Sequence, residues 1–345
     1  MDVKLFLYNT LSLVHFHNNS SKNKDIFIFT TFRSGSTWLS EIFESQSNFK
    51  FNGSPPLAPG NVEYFNKKNS GYFNIEPSWQ KINLLKEEEK ALYEYLMQIK
   101  NDEIIFSRRY GNLFSSSHSF YTNRSVIRFL RCNSLIQWYY KNFDDNFIVL
   151  FRHPIATALS RLKIWKKNNK NKYWSYYIDE FLASEDYINK YLNDDLVNYI
   201  KKECYKNNDF IKFIISWCLE ILPLIKFWDE NQKDDKITLI TYEELVMNSK
   251  KLIDLLSNKY NLLDKERMLE QIYKPSSTTK HSDNKTQKKL QSNNYQQEYL
   301  INKWKDEINE KQHKKVFQII NKFNINIYQY DQSYPSEKYM NFKKY

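Results

Sequence analysis

Glycine is scarce in this chain. Five glycines serve 345 residues, so a glycine placed inside a short turn is informative. Cysteine is scarcer still. Cys132, Cys204 and Cys218 lie far apart and show no metal-ligand spacing, which excludes a disulfide framework or a cysteine-built zinc site and predicts free, mostly buried thiols in a reducing, cytoplasmic compartment. No run approaches the ~20 apolar residues that span a bilayer, so no transmembrane segment is expected. The apolar stretch within Met1–His17 is interrupted by Tyr, Asn and Thr and has no convincing cleavage site, so it is not read as a signal peptide. There are no internal repeats.

Against those absences stands a core-forming composition: 41% hydrophobic and 17% aromatic residues, with a formal net charge of +11. The charge is compatible with a polyanionic partner, but a Lys-rich solvated surface is the simpler reading. No groove-reading motif accompanies it, and no specific nucleic acid is expected. The most informative segment is Asp25-Ile-Phe-Ile-Phe-Thr-Thr-Phe-Arg-Ser-Gly-Ser-Thr-Trp-Leu39. An apolar run, Ile26–Phe29, ends in the turn Thr31–Thr37, and Trp38, Leu39, Ile42 and Phe43 follow at helical spacing. Strand, tight turn and helix N-terminus together make an anion site, because first-turn N–H groups lack intrahelical acceptors and the helix dipole adds to their field. Gly35 permits close backbone approach. Ser34, Ser36 and Thr37 bring hydroxyls, and Arg33 a fixed positive charge. The turn lacks the first Gly and the Lys of G-x-x-x-x-G-K-[ST], so it is not the phosphate loop of a nucleoside triphosphatase.

A second segment, Phe147-Ile-Val-Leu-Phe-Arg-His-Pro-Ile-Ala-Thr-Ala-Leu-Ser-Arg161, reads as a buried strand delivering Arg152 at its carboxyl end. Pro154 opens the helix that follows, and Ser160 comes eight residues after Arg152. Ligands of open α/β sheets bind at the carboxyl ends of strands, so Arg152 stands where a second anion could be held. His153 is read as support for the strand end.

Elsewhere, helices are expected over Leu84–Ile99, Leu135–Phe143, Asp209–Trp228, Tyr242–Leu256 and Glu298–Phe323. Strands are expected at Ile104–Phe106, Val126–Leu130 and Ile237–Ile240. Loops are expected over Gln46–Tyr72, Lys166–Lys172 and Lys274–Asn294. Alternating strands and helices predict an α/β fold, a central parallel sheet with helices on both faces. One domain over 25–330 is expected, with an N-terminal extension (1–24) and a C-terminal tail (331–345).

Taken together, the two motifs resemble those of sulfotransferases that use 3'-phosphoadenosine 5'-phosphosulfate (PAPS). Arg33-Ser-Gly-Ser-Thr-Trp-Leu39 resembles the family's 5'-phosphosulfate loop, and Arg152-His-Pro154 through Ser160 its 3'-phosphate motif. Ile240-Thr-Tyr-Glu-Glu-Leu245 and Trp304–Tyr328 resemble its strand-ending Y-E-[DE]-L and closing helix. The resemblance implies a P-loop-like sulfotransferase fold. It implies that Arg33, Ser34, Gly35, Ser36 and Thr37 hold the 5'-phosphosulfate, that Trp38 stacks on adenine, and that Arg152 and Ser160 grip the 3'-phosphate. It also implies in-line sulfuryl transfer to a hydroxyl-bearing acceptor, a carbohydrate or glycolipid, releasing 3'-phosphoadenosine 5'-phosphate (PAP), with Arg33 as catalytic cation and no metal. Two residues stand as candidate general bases: Glu63, in Pro59-Gly-Asn-Val-Glu-Tyr-Phe65, and His118, in Ser115-Ser-Ser-His-Ser119. The family's C-terminal nucleotide loop has no clear match, and Ser276–His281 is the candidate replacement. Two other readings stay open: an inactive nucleotide- or polyanion-binding module on the same fold, and a P-loop nucleotide kinase. The absent Gly-Lys pair and the lack of a strand-end Asp argue against the kinase.

Overall fold

The computed structural model describes residues 16–17, 23–50, 55–58, 61, 82–101, 121–170, 175–274, 276 and 296–342. Its centre is a five-stranded sheet built from β1 (Ile26–Thr30), β2 (Phe49–Lys50), β3 (Arg124–Phe129), β4 (Asn146–Phe151) and β5 (Ile237–Thr241). The lateral order is β2-β3-β1-β4-β5, and every pairing is parallel. β1 lies at the middle, with Ile26 opposite Val126 on one side and Asn146 on the other. A separate two-residue parallel pairing joins Phe16–His17 to Tyr121–Thr122.

The run Ile26-Phe-Ile-Phe29 is apolar at every position because both sheet faces are covered, as parallel sheets require. Phe27 and Phe29 enter one core with Phe147 and Val149, packed by α4 (Asp209–Asn231) and α7 (Glu310–Lys322). Ile26 and Ile28 enter the other with Ile148 and Leu150, packed by α1 (Ser36–Phe43) and α6 (Ser249–Tyr260). The expected α/β architecture, helices on both faces of a parallel sheet, is the one found. Between these helices in sequence lie α2 (Lys86–Lys100), α3 (Pro154–Lys167) and α5 (Tyr242–Met247).

Several expected elements are divided. The helix predicted over Tyr242–Leu256 is two, α5 and α6: Asn248 leaves helical geometry, and the Ser249 hydroxyl donates to the Val246 carbonyl (3.0 Å) that the break frees. The region Glu298–Phe323 is a helix over Gln296–Asn302, a 3-10 turn at Lys305–Glu307 and α7. α7 starts at a reciprocal cap, with Gln312 N–H donating to Asn309 Oδ1 (2.9 Å) and Asn309 N–H to Gln312 Oε1 (3.0 Å). Within the expected Gln46–Tyr72 loop, Phe49–Lys50 forms the edge strand β2. The predicted strand Ile104–Phe106 lies outside the described residues.

The amino ends of the strands are tied by charge. Lys100, ending α2, is bonded to Asp145 and lies 3.1 Å from Asp25. Asp25 accepts Ser125 N–H (2.7 Å), and Asp145 accepts Asp25 N–H (3.0 Å). Burial pushes the Asp25 carboxyl above its ordinary range. It also disfavours the Lys100 cation, but the two carboxylates outweigh that and hold the ammonium above its usual value. Cys132, Cys204 and Cys218 are free thiols. No helix among the described residues is long and apolar enough to cross a membrane.

Candidate active site

The strand order places a topological switch at β1: the chain leaves β1 toward one side of the sheet, and leaves β4 toward the other. The crevice outside the carboxyl ends of these two strands is where open α/β sheets hold ligands. β1 and β4 are locked together at that end by Thr30 Oγ1, which donates to the Leu150 carbonyl (2.7 Å).

After β1 the backbone turns sharply. Arg33 (φ 71°) and Gly35 (φ 95°) are both left-handed, and Thr31 and Ser34 share a hydroxyl–hydroxyl bond (2.7 Å). Glycine is required at 35 on two counts. Its φ is one that a side chain strains to adopt, and a Cβ there would lie 2.7 Å from Tyr242 Cδ2. α1 begins immediately afterwards, with no side-chain cap and no acidic residue in its first turn. The first-turn N–H donors and the positive dipole end of this helix therefore face the crevice with no acidic residue of their own first turn beside them.

Arginines converge on the turn from three strand ends or neighbouring loops. Arg33 Nε donates to Ser160 Oγ on α3 (3.1 Å). Arg152, directly after β4, donates from Nη1 to the Arg33 carbonyl (3.0 Å). The guanidinium carbon of Arg152 lies 4.1 Å from the centroid of the Tyr242 ring. Arg128, inside β3, donates from Nη1 to Thr37 Oγ1 (2.7 Å). Burial, then the neighbouring charge of Arg152, bring the Arg33 guanidinium down to about 10, so it remains a cation at neutral pH. Arg152 Nε is buried and finds no hydrogen-bond partner among the described residues. A concentrated positive field with unsatisfied donors is suited to an anion carrying more than one charge.

The segments quoted far apart in sequence thus meet: Arg33 touches both Ser160 and Arg152, and Trp38 lies 6.0 Å from Tyr242, ring to ring. His153 is fully buried and stacks on Trp304 (4.3 Å, 12°). Burial holds its imidazole down at about 3, so it is neutral and supports the loop. Beside Ser160, Arg161 is fixed by two 2.6 Å bonds to the Glu220 carboxylate. Glu63 and His118, the two candidate bases, lie outside the described residues, as does most of Ser276–His281. Sequence reasoning missed Arg128, Tyr242 and Glu243 as site-building residues. Arg128 carried a usable signal: a charge inside the apolar run Val126-Ile-Arg-Phe129 must be buried with a purpose.

The family model described as the Sulfotransferase domain matches residues 23–329. The chain belongs to the sulfotransferase-domain family. Among solved structures, it is similar to the sulfotransferase domain from the Synechococcus PCC 7002 olefin synthase, with 15% identity, coverage of 90% of this chain and 98% of that one, and a TM-score of 0.45. It is also similar to a mouse sulfotransferase complexed with PAP (13% identity, 93% and 88% covered, TM-score 0.43). A third is retinol dehydratase in a complex with retinol and PAP (13% identity, 97% and 88% covered, TM-score 0.40). No curated protein matches the chain.

Proposed function

We propose that this chain transfers a sulfuryl group from PAPS to a hydroxyl of a carbohydrate or glycolipid acceptor. The observation that carries the reading is the joining of the two anion-binding segments: Arg33 Nε on Ser160 Oγ at 3.1 Å, and Arg152 Nη1 on the Arg33 carbonyl at 3.0 Å. A nucleotide with phosphates at both 5' and 3' positions needs two anion sites on one wall, and this pairing supports that reading.

The residues present fit such a group. The start of α1 is uncapped, and Arg152 Nε is a buried donor without a partner among the described residues. When bound, PAPS supplies an activated sulfuryl group. Arg33 and the hydroxyls and amides of Ser34–Thr37 would hold the 5' end and stabilise the negative charge that grows on the departing phosphate. Arg128 would add to that field through Thr37. Arg152 and Ser160 would hold the 3'-phosphate, and Trp38 would cover adenine. Glu63 is the proposed general base, with His118 the alternative. Either would take the acceptor hydroxyl's proton. A reducing, cytoplasmic setting belongs to the same reading, which three widely spaced cysteines in the sequence support.

Thermal shift without added metal, comparing PAP, ATP and AMP, tests the reading. PAP should stabilise most. No response to PAP, or a preference for ATP, overturns it. Arg152→Ala should weaken PAP by about tenfold or more while changing AMP little, as expected for loss of a charge-assisted contact to the 3'-phosphate. Equal losses for the two nucleotides would show that Arg152 does not serve the 3' position. PAP binding without sulfation of any glycan or glycolipid acceptor would instead favour the inactive module.

A further inference from the structure

Tyr242 and Glu243 follow β5 directly, and they meet Arg152 and His153 residue for residue. Tyr242 presents its ring to the Arg152 guanidinium at 4.1 Å. Glu243, 1% exposed, accepts the His153 backbone N–H on Oε1 at 3.0 Å. Its other oxygen accepts the Tyr328 hydroxyl at 2.7 Å. The His153 backbone is therefore held at its N–H by Glu243 and at its carbonyl by Thr157 N–H (3.0 Å), while its ring stacks on Trp304 and meets the Tyr328 ring edge-on at 5.0 Å. Pro154 adds no N–H of its own. The Glu243 contact is thus what fixes the backbone immediately after Arg152 on the side away from α3.

We infer that Glu243 is a positioning residue for Arg152, pinning the strand-end loop so that the guanidinium meets the 3'-phosphate, and that Tyr328 in turn orients the Glu243 carboxylate. Both lie outside the two nucleotide-binding segments. Tyr328 belongs to the chain beyond α7, so the C-terminal region acts on the anion site without touching the ligand. Burial raises the Glu243 carboxyl above its ordinary range, while the His153 N–H, the Tyr328 hydroxyl and the Arg152 charge favour its ionised form. The inference rests on the reading of Arg152 as the 3'-phosphate ligand.

PAP and AMP differ only by that phosphate, so the ratio of their dissociation constants isolates the 3' site. In this chain, Glu243→Ala should reduce the wild-type preference for PAP about tenfold through loss of the buried acceptor opposite His153 N–H, with AMP affinity little changed. Glu243→Gln, which keeps an oxygen opposite His153 N–H, should restore most of the preference. An unchanged ratio in Glu243→Ala, or equal behaviour of the Ala and Gln variants, overturns the inference. A buried charge acting only by its field would make the two alike and strengthen PAP. If Glu243→Ala does not fold, Tyr328→Phe decides: the preference should fall about threefold, and an unchanged ratio overturns the inference. A wild-type chain that does not prefer PAP over AMP would instead refute the functional reading beneath it.

Discussion

Single residues at this site carry conformational requirements that can be measured separately from binding. Gly35 combines φ 95° with a Cβ position 2.7 Å from Tyr242. Gly35→Ala should therefore cost about 2 kcal/mol or more, the left-handed strain plus displacement of the Tyr242 ring. A urea melt checks it, and an unshifted midpoint would show that the turn relaxes freely. His153 predicts an acid sensitivity. The folded chain holds the imidazole at about 3, chiefly by burial and then by the charges of His313, Arg152 and Lys305. The unfolded chain protonates near the ordinary value of about 6.5. Stability from the neutral ring is complete above about pH 6.5 and is lost as pH falls toward 3, at about 1.4 kcal/mol per pKa unit. Glu243 and Glu244, raised mainly by burial, act in the opposite sense, gaining stability as pH falls. The comparison must therefore be differential. His153→Phe, which keeps a ring on Trp304, should flatten the decline of Tm between about pH 6.5 and about pH 4; parallel curves for the two proteins would refute this.

Among the elements, α1 is where helix stability and ligand binding pull apart. An acidic residue in a first turn ordinarily stabilises a helix by about 0.3–1 kcal/mol, yet α1 has none. Thr37→Asp would place a carboxylate beside Arg128, whose Nη1 already lies 2.7 Å from Thr37 Oγ1. Its Tm should hold or rise while stabilisation by PAP disappears. Retained PAP stabilisation would mean the anion does not approach this helix end. The legibility of the elements follows the same physics. β1, β4 and α4 were readable because continuous apolar runs and 3.6-residue periodicity report burial directly. The junctions were not. The break at Asn248 depends on one backbone conformation and one Ser249 hydroxyl bond, which periodicity averages away. The Asn309–Gln312 cap that starts α7 went unread because the apolar pattern runs through it. At the site, Arg33 and Arg152 were readable from their places at the carboxyl ends of strands, whereas Ser160, in the middle of α3, was singled out only through the family resemblance. Glu243 was not readable, because its role arises from a contact spanning 90 residues.

For the molecule as a whole, the sheet separates a charged scaffold at the amino ends of its strands from the proposed anion site at their carboxyl ends. Lys100 faces Asp25 and Asp145, so Lys100→Met should leave two buried carboxylates uncompensated. The cost should be about 3–5 kcal/mol, with the preference for PAP over AMP preserved. A changed preference would show that the two ends are coupled. The order β2-β3-β1-β4-β5 has a further consequence, for synthesis rather than for binding. β1 emerges first but pairs with strands made much later: Thr30 bonds Leu150 across 120 residues, and Asp25 bonds Ser125 across 100. At about 5–20 residues per second, the Ile-Phe-Ile-Phe segment waits on the order of 5–20 s on the ribosome before either neighbour exists. During that interval the segment destined for the centre of the sheet is a bare aromatic strand, and nascent chains arrested before residue 124 should be the ones that chaperones hold and that aggregate when chaperones are withdrawn.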